Sequence, residues 1–226
     1  MAWHGFCKND NGTGAGGQII PALTGSLMMW YEDEVRQLER TLAERHRLNR
    51  DRPVVFYGSS SIRLWTTLAQ DFPELQPLNL GFGGSTLAAC TWFFDRLVLP
   101  VQPRALVFYA GDNDLGDGRH PEEVCLFYEA LLRKLGQQLP DMPFSFIAIK
   151  PSPARWALLD RIRFVNNRVE QLARQTPGHQ YIDVFTPMLS AQGGPRRELF
   201  ETDGLHLNGA GYALWRQVLS QYSLTF

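Results

Sequence analysis

The sequence predicts an α/β protein, a three-layer α/β/α sandwich around a five-stranded parallel sheet, and three observations carry that reading. Five short runs, at residues 54–57, 78–80, 105–110, 144–149 and 181–185, are rich in β-branched or aromatic side chains, as strands covered on both faces are. Segments with apolar residues at helical spacing separate them, an alternation that gives parallel strands joined by crossover helices. Motifs made of Gly, Ser, Asn and Asp stand where strand-like runs end. In open α/β sheets that edge is where ligands sit.

Taken in order, the first helix spans residues 30–48 and repeats apolar positions at Val35, Leu38, Leu42 and Leu48. Strand one runs into Gly58, Ser59, Ser60, Ser61 and Ile62, a glycine and three hydroxyls at a helix start. A serine there exposes its Oγ and keeps a free backbone N–H, because the first helical turn leaves donors unpaired; taken alone, the motif reads as an N-cap. Strand two ends in Gly81, Phe82, Gly83 and Gly84, followed by Ser85 and Thr86. Bare glycine N–H groups can approach a bound group closely, which suits an oxyanion hole or a phosphate cradle. A dinucleotide fingerprint would need glycine at Thr86 and a place after the first strand.

Strand three ends in Gly111, Asp112, Asn113 and Asp114. Asn113 can offer an uncharged NH2 to a developing oxyanion, although Asn and Asp in a loop also make Asx-turns. A helix over residues 124–139 carries Phe127, Leu131, Leu135 and Leu139; strand four, a helix over 156–175, strand five and a last helix over 209–221 follow. Just before that last helix stand Asp203, Gly204, Leu205 and His206. A carboxylate three residues before a histidine on a tight turn can reach Nδ1 and aim the other ring nitrogen at a nucleophile. His4, His46, His120 and His179 have no carboxylate at a useful spacing.

Hydrophobic residues make up 44% and charged residues 20%, an ordinary globular composition. The net charge of -1 gives no reason to expect a nucleic-acid partner, and the basic run at residues 36–52 is matched by Glu32, Asp33, Glu34, Glu39 and Glu44, as on a solvated helix face. Cys7, Cys90 and Cys125 are odd in number and widely spaced, so no disulfide framework or metal knuckle is expected, and a reducing, cytoplasmic setting is. Cys90 and Cys125 fall in helical apolar patterns and read as buried, inert thiols. Residues 1–27 read as a flexible leader and residues 28–226 as a single domain. The apolar stretch at 19–31 is broken by Pro21, Thr24, Gly25 and Ser26, too short for a membrane span and lacking the basic flank and cleavage site of a signal peptide.

The four motifs resemble, in order, the sequence blocks of the SGNH hydrolases, also called the GDSL esterase/lipase family, over residues 54–215. The resemblance implies the SGNH-hydrolase (flavodoxin-like) fold and a serine hydrolase without metal or organic cofactor. Ser60 is then the nucleophile and, through its N–H, an oxyanion donor; Gly84 and Asn113 are the other donors, and Asp203 and His206 complete a triad. Ser59 stands where the family usually has Asp, which leaves Ser59 and Ser61 as alternative nucleophiles. Arg63, Trp65, Lys150, Arg155 and Trp156 are expected to line the substrate pocket. The expected substrate is a small-molecule ester, with a short-chain or carbohydrate O-acyl (acetyl) group preferred because no lid-like apolar insertion is present. Lysophospholipase or thioesterase activity is the alternative within the family, and a phosphate- or nucleotide-binding module the alternative outside it.

Overall fold

The computed structural model describes residues 29–47 and 52–225; the expected leader, with Cys7, and Leu48 of the first apolar face lie outside them. Five strands form one sheet: β1 (Val54–Gly58), β2 (Leu78–Gly81), β3 (Ala105–Tyr109), β4 (Phe144–Ile147) and β5 (His179–Ile182). All pairings are parallel and the order is β2-β1-β3-β4-β5. Chain direction across the sheet therefore reverses beside β1 and β3, and a crevice opens where the two crossovers part. Gly58 pairs with both Gly81 and Tyr109, so the loops after β1, β2 and β3 start level with one another.

Alternate strand residues feed two cores. Val55, Tyr57, Leu106, Phe108, Phe144 and Phe146 point into one, which is closed by α1 (Glu32–Arg47), α4 (Leu87–Leu97), α6 (Pro121–Gln138) and α7 (Leu159–Gln175). Val54, Phe56, Ala105, Val107 and Tyr109 point into the other, beneath α2 (Ser60–Arg63), α3 (Leu68–Asp71) and α8 (Gly209–Leu219). The short α5 (Asp112–Gly116) follows β3 at the crevice. Burial of both faces explains why the strands read as continuous apolar runs.

Local chemistry sets the helix ends. In α1, Glu32, Asp33 and Glu34 fill the first turn and Arg45, His46 and Arg47 the last, complementing the helix dipole. Thr86 Oγ accepts the Ala89 N–H at 3.1 Å to cap α4, and Asn208 Oδ1 accepts from Ala210 and Gly211 to cap α8. Pro121 occupies the first turn of α6, where a missing N–H costs nothing.

Several expected boundaries move, among them the helix expected over 124–139, which is Pro121–Gln138, and the one expected over 209–221, which is Gly209–Leu219. Strand five lies at His179–Ile182 rather than 181–185, because Asp183 Oδ1 accepts the Thr186 N–H at 3.0 Å and turns the chain out of the sheet. Strand four stops at Ile147 because Asn166 of α7 bonds both the N–H and the carbonyl of Ile149. The helix expected over 156–175 is a 3-10 turn (Pro153–Leu158) followed by α7. Cys90 and Cys125 are both buried, and burial pushes their thiols up, that of Cys125 to about 11.

Candidate active site

The loop after β1 is built around Gly58. Its φ is +139°, and a Cβ there would lie 1.9 Å from the Tyr109 carbonyl oxygen, so only glycine lets β1 end so close to β3. The Ser59 N–H bonds that same carbonyl at 2.9 Å, and the chain turns at once into α2 with Ser60 as its first residue. The three hydroxyls part here. Those of Ser59 and Ser61 are buried and have no hydrogen-bond partner, whereas Ser60 Oγ stands 3.1 Å from His206 Nε2.

His206 belongs to a turn folded on itself. Glu201 N–H bonds the His206 carbonyl, Gly204 N–H bonds the Glu201 carbonyl, and Gly204 takes φ +65°. Asp203 Oδ1 accepts the N–H groups of Leu205 (2.8 Å) and His206 (3.0 Å), leaving Oδ2 to meet His206 Nδ1 at 2.6 Å. Partial burial opposes the charged carboxylate, but the two backbone N–H groups and the imidazole outweigh it and hold the Asp203 carboxyl at about 2. In the neutral imidazole, an ionised partner on Nδ1 favours the tautomer with its proton there, which leaves the Nε2 lone pair to face Ser60.

The other two motifs follow β2 and β3 at the same edge of the sheet. Gly84 has φ +65° and open space where a Cβ would stand. Asn113, in the first turn of α5, donates one amide hydrogen to the Ser85 carbonyl at 3.0 Å, which leaves its NH2 a second donor. Asp114 Oδ2 accepts the Leu87 N–H at 2.8 Å at the start of α4 and thereby ties α5 to the glycine loop.

Burial raises the Asp114 carboxyl to about 6, above the ordinary value of 3.8. An acid raised in this way favours the fold below its unfolded value, and the advantage is lost as pH rises through 6. Asp114→Asn keeps an acceptor for Leu87 but cannot ionise. In urea unfolding it is expected to be more stable than the parent by up to about 3 kcal/mol at pH 8 and about equal at pH 4; an unchanged difference across that range would contradict the burial argument.

Of the five expected pocket residues, three do other work. Trp65 is in the second core, packed edge-on against Phe56, Phe72 and Trp215, with its indole N–H on Asp71 Oδ2 at 2.7 Å. Lys150 is 1% exposed, its Nζ donating to Asp112 Oδ2 at 2.8 Å and to the Tyr109 hydroxyl at 2.9 Å. Arg155 lays its guanidinium over Gly116, where a Cβ would meet Cζ at 2.3 Å, and so braces α5. Arg63 and Trp156 keep exposed surface, with Arg63 Nε 3.6 Å from Glu34 Oε2.

Two residues at the site carried no signal in the sequence. Glu34 Oε2 accepts the Gly83 N–H at 2.7 Å, and the Tyr31 hydroxyl donates to the Gly84 carbonyl at 3.2 Å. Both precede β1 by more than a helix length, and Glu34 reads there as one acid among several on a solvated face. Among the described residues, no group of three or more His, Cys, Asp or Glu is placed to hold a metal ion, and no helix is long and apolar enough to cross a membrane.

The pattern of the GDSL-like lipase/acylhydrolase family matches residues 33–214. Similar solved structures include a protein from Streptococcus pneumonia named for platelet activating factor, 20% identical over 88% of this chain and 97% of that one with a TM-score of 0.74. A GDSL-like lipase from Bacteroides thetaiotaomicron is 19% identical over 83% and 97% of the two chains, with a TM-score of 0.68. The SGNH-hydrolase family esterase AlinE4 is 18% identical over 76% and 95%, with a TM-score of 0.54. No curated protein sequence matches significantly. At these identities the structures speak for the shared fold, and the family match speaks for the chemistry. Because that match runs through all four motifs and most of the chain, the protein belongs to the GDSL-like lipase/acylhydrolase, or SGNH hydrolase, family and is a hydrolase acting on esters.

Proposed function

We propose that this protein is a serine esterase that cleaves a small carboxylic ester through an acyl-enzyme, with a short acyl group, such as acetyl on a carbohydrate, as its preferred substrate. The observation that carries the proposal is the unbroken line from Asp203 Oδ2 to His206 Nδ1 (2.6 Å) and from His206 Nε2 to Ser60 Oγ (3.1 Å). His206 takes the Ser60 proton as Oγ attacks the ester carbonyl. The Ser60 N–H, the Gly84 N–H and the Asn113 amide receive the oxyanion. His206 then protonates the departing alcohol, and in the second half it activates water to release the acid and restore Ser60. Asp203 stays ionised throughout and stabilises the imidazolium. The cycle requires neither metal nor organic cofactor.

A phosphate or nucleotide cradle is a poorer reading of the glycine loop. The Gly83 N–H that a phosphate would seek already bonds the Glu34 carboxylate, and a second carboxylate, Asp203, stands behind His206. The buried thiols of Cys90 and Cys125 support a reducing, cytoplasmic setting.

The test combines turnover with covalent labelling. With EDTA present, the protein is expected to hydrolyse p-nitrophenyl acetate faster than longer-chain esters, and a fluorophosphonate is expected to abolish that activity by modifying Ser60 alone. A labelled peptide carrying the adduct on Ser59 or Ser61, or hydrolysis that survives complete labelling, would overturn the assignment.

A further inference from the structure

The loop that bears the Gly84 N–H is soft by composition. Gly83 and Gly84 are adjacent, Gly84 sits at φ +65°, and the peptide between two glycines can rotate with little steric opposition. An oxyanion donor, by contrast, must already point at the reacting centre. The peptide units on either side of it are both held from outside the loop, by α1 and by the 3-10 turn (Met29–Tyr31) that leads into it. On one side the Gly83 N–H is bonded to Glu34 Oε2 at 2.7 Å, and on the other the Gly84 carbonyl is bonded to the Tyr31 hydroxyl at 3.2 Å. The 83–84 peptide, which carries the Gly84 N–H, lies between these two fixed units.

Both segments are themselves anchored. Glu32 and Glu39 of α1 grip Arg96 of α4 at 2.7 and 2.8 Å, and Val35 is fully buried. The Tyr31 ring meets Phe82 of the loop and Phe93 of α4 edge-on, at 5.5 and 6.3 Å. A carboxylate beside an oxyanion hole would oppose the charge that develops there, and Arg63, 3.6 Å from Glu34 Oε2, offsets it.

We infer that Glu34 and Tyr31 are positioning residues for ester hydrolysis: together they clamp the peptide units flanking the 83–84 bond and keep the Gly84 N–H turned toward the oxyanion. The inference rests on the proposed serine-esterase reading, in which Gly84 is a donor. It gives the 3-10 turn and the first turn of α1 a role in catalysis without contact with substrate. Glu34 acts as an acceptor rather than as a charge, so a neutral acceptor of the same length can replace it.

The experiment is steady-state hydrolysis of p-nitrophenyl acetate by Glu34→Ala, Glu34→Gln, Tyr31→Phe and Glu34→Ala/Tyr31→Phe, each with its melting temperature. A donor left mobile loses part of the roughly 100- to 1,000-fold that deletion of a donor costs. Kcat is therefore expected to fall about tenfold in Glu34→Ala and in Tyr31→Phe and about 100-fold in the double variant, with KM little changed, while Glu34→Gln keeps most of the parental kcat. Tyr31→Phe retains the ring packing, so it reads the hydroxyl even where Glu34→Ala melts early. The inference is overturned if the single variants turn over like the parent, if Glu34→Gln is as slow as Glu34→Ala, or if the loss appears in KM. Failure of the underlying reading shows separately, as a parent protein whose hydrolysis does not depend on Ser60.

Discussion

Ser60→Ala and His206→Ala are each expected to lower kcat for p-nitrophenyl acetate by at least about 10⁴-fold, and the double variant to be no slower than either alone. The reason is that the two groups act in one step. Without the imidazole, Oγ keeps its proton; without Oγ, the imidazole has nothing to activate. The 3.1 Å contact between them joins two motifs 146 positions apart in the chain. Residual turnover should come from the donors of Gly84 and Asn113 acting on a bound ester with water as nucleophile. Independent contributions, with the double variant slower by the product of the two single losses, would mean that Ser60 and His206 are not nucleophile and base. Asp203 adds a sign that can be checked. Its carboxyl is depressed to about 2, so its ionised form is favoured above the ordinary value of 3.8 and is lost only as pH falls through 2. An acid limb in kcat/KM well above pH 3 therefore reports a group other than Asp203.

The five parallel strands and the places of the glycine-bearing motifs beside them were readable because each depends on local sequence. A strand buried on both faces must be apolar along its length, a tight exit from it needs glycine, and an Asp three residues before a His meets it within one turn. What could not be read depends on which elements lie side by side. Trp65 and Lys150 follow strand ends by few enough residues to suggest the crevice, yet Trp65 turns into the second core and Lys150 reaches back under α5. Glu34 is the converse case: a helix-surface acid becomes a loop anchor only because α1 docks against α4 through Arg96. Likewise, Asn166 ends β4 from α7, a contact absent from any window of sequence around residue 149.

The largest effect on stability is expected at Lys150. Its Nζ and Asp112 Oδ2 meet at 2.8 Å with side chains 1% and 5% exposed, and the Tyr109 hydroxyl takes a further Nζ proton at 2.9 Å. Burial works against the Asp112 charge, but the attraction and hydrogen bond of Lys150 prevail and hold its carboxyl below the ordinary value. Asp112 Oδ1 has no hydrogen-bond partner, and although the Tyr109 hydroxyl and the Arg155 charge also favour the carboxylate, the ammonium is the larger compensation and is lost with Lys150. Lys150→Met fills a similar volume and leaves that carboxylate buried without its ammonium, which is expected to cost about 3–5 kcal/mol in urea unfolding at pH 7. In the variant, burial without that ammonium raises the Asp112 carboxyl, so its folded form gains relative stability below the unfolded value near 4. That gain is lost as pH rises through the raised value. The deficit against the parent should therefore be largest at neutral pH and shrink as pH falls toward 4. Replacing both partners, Lys150→Met with Asp112→Leu, should restore much of the loss, because two well-packed apolar groups escape the desolvation that the ion pair only just offsets. Asp112 precedes Asn113 in the first turn of α5, so the single variant should also turn over more slowly than the double. If Lys150→Met unfolds like the parent, or if the double variant is worse than the single, the pair does not hold the floor of the crevice through charge.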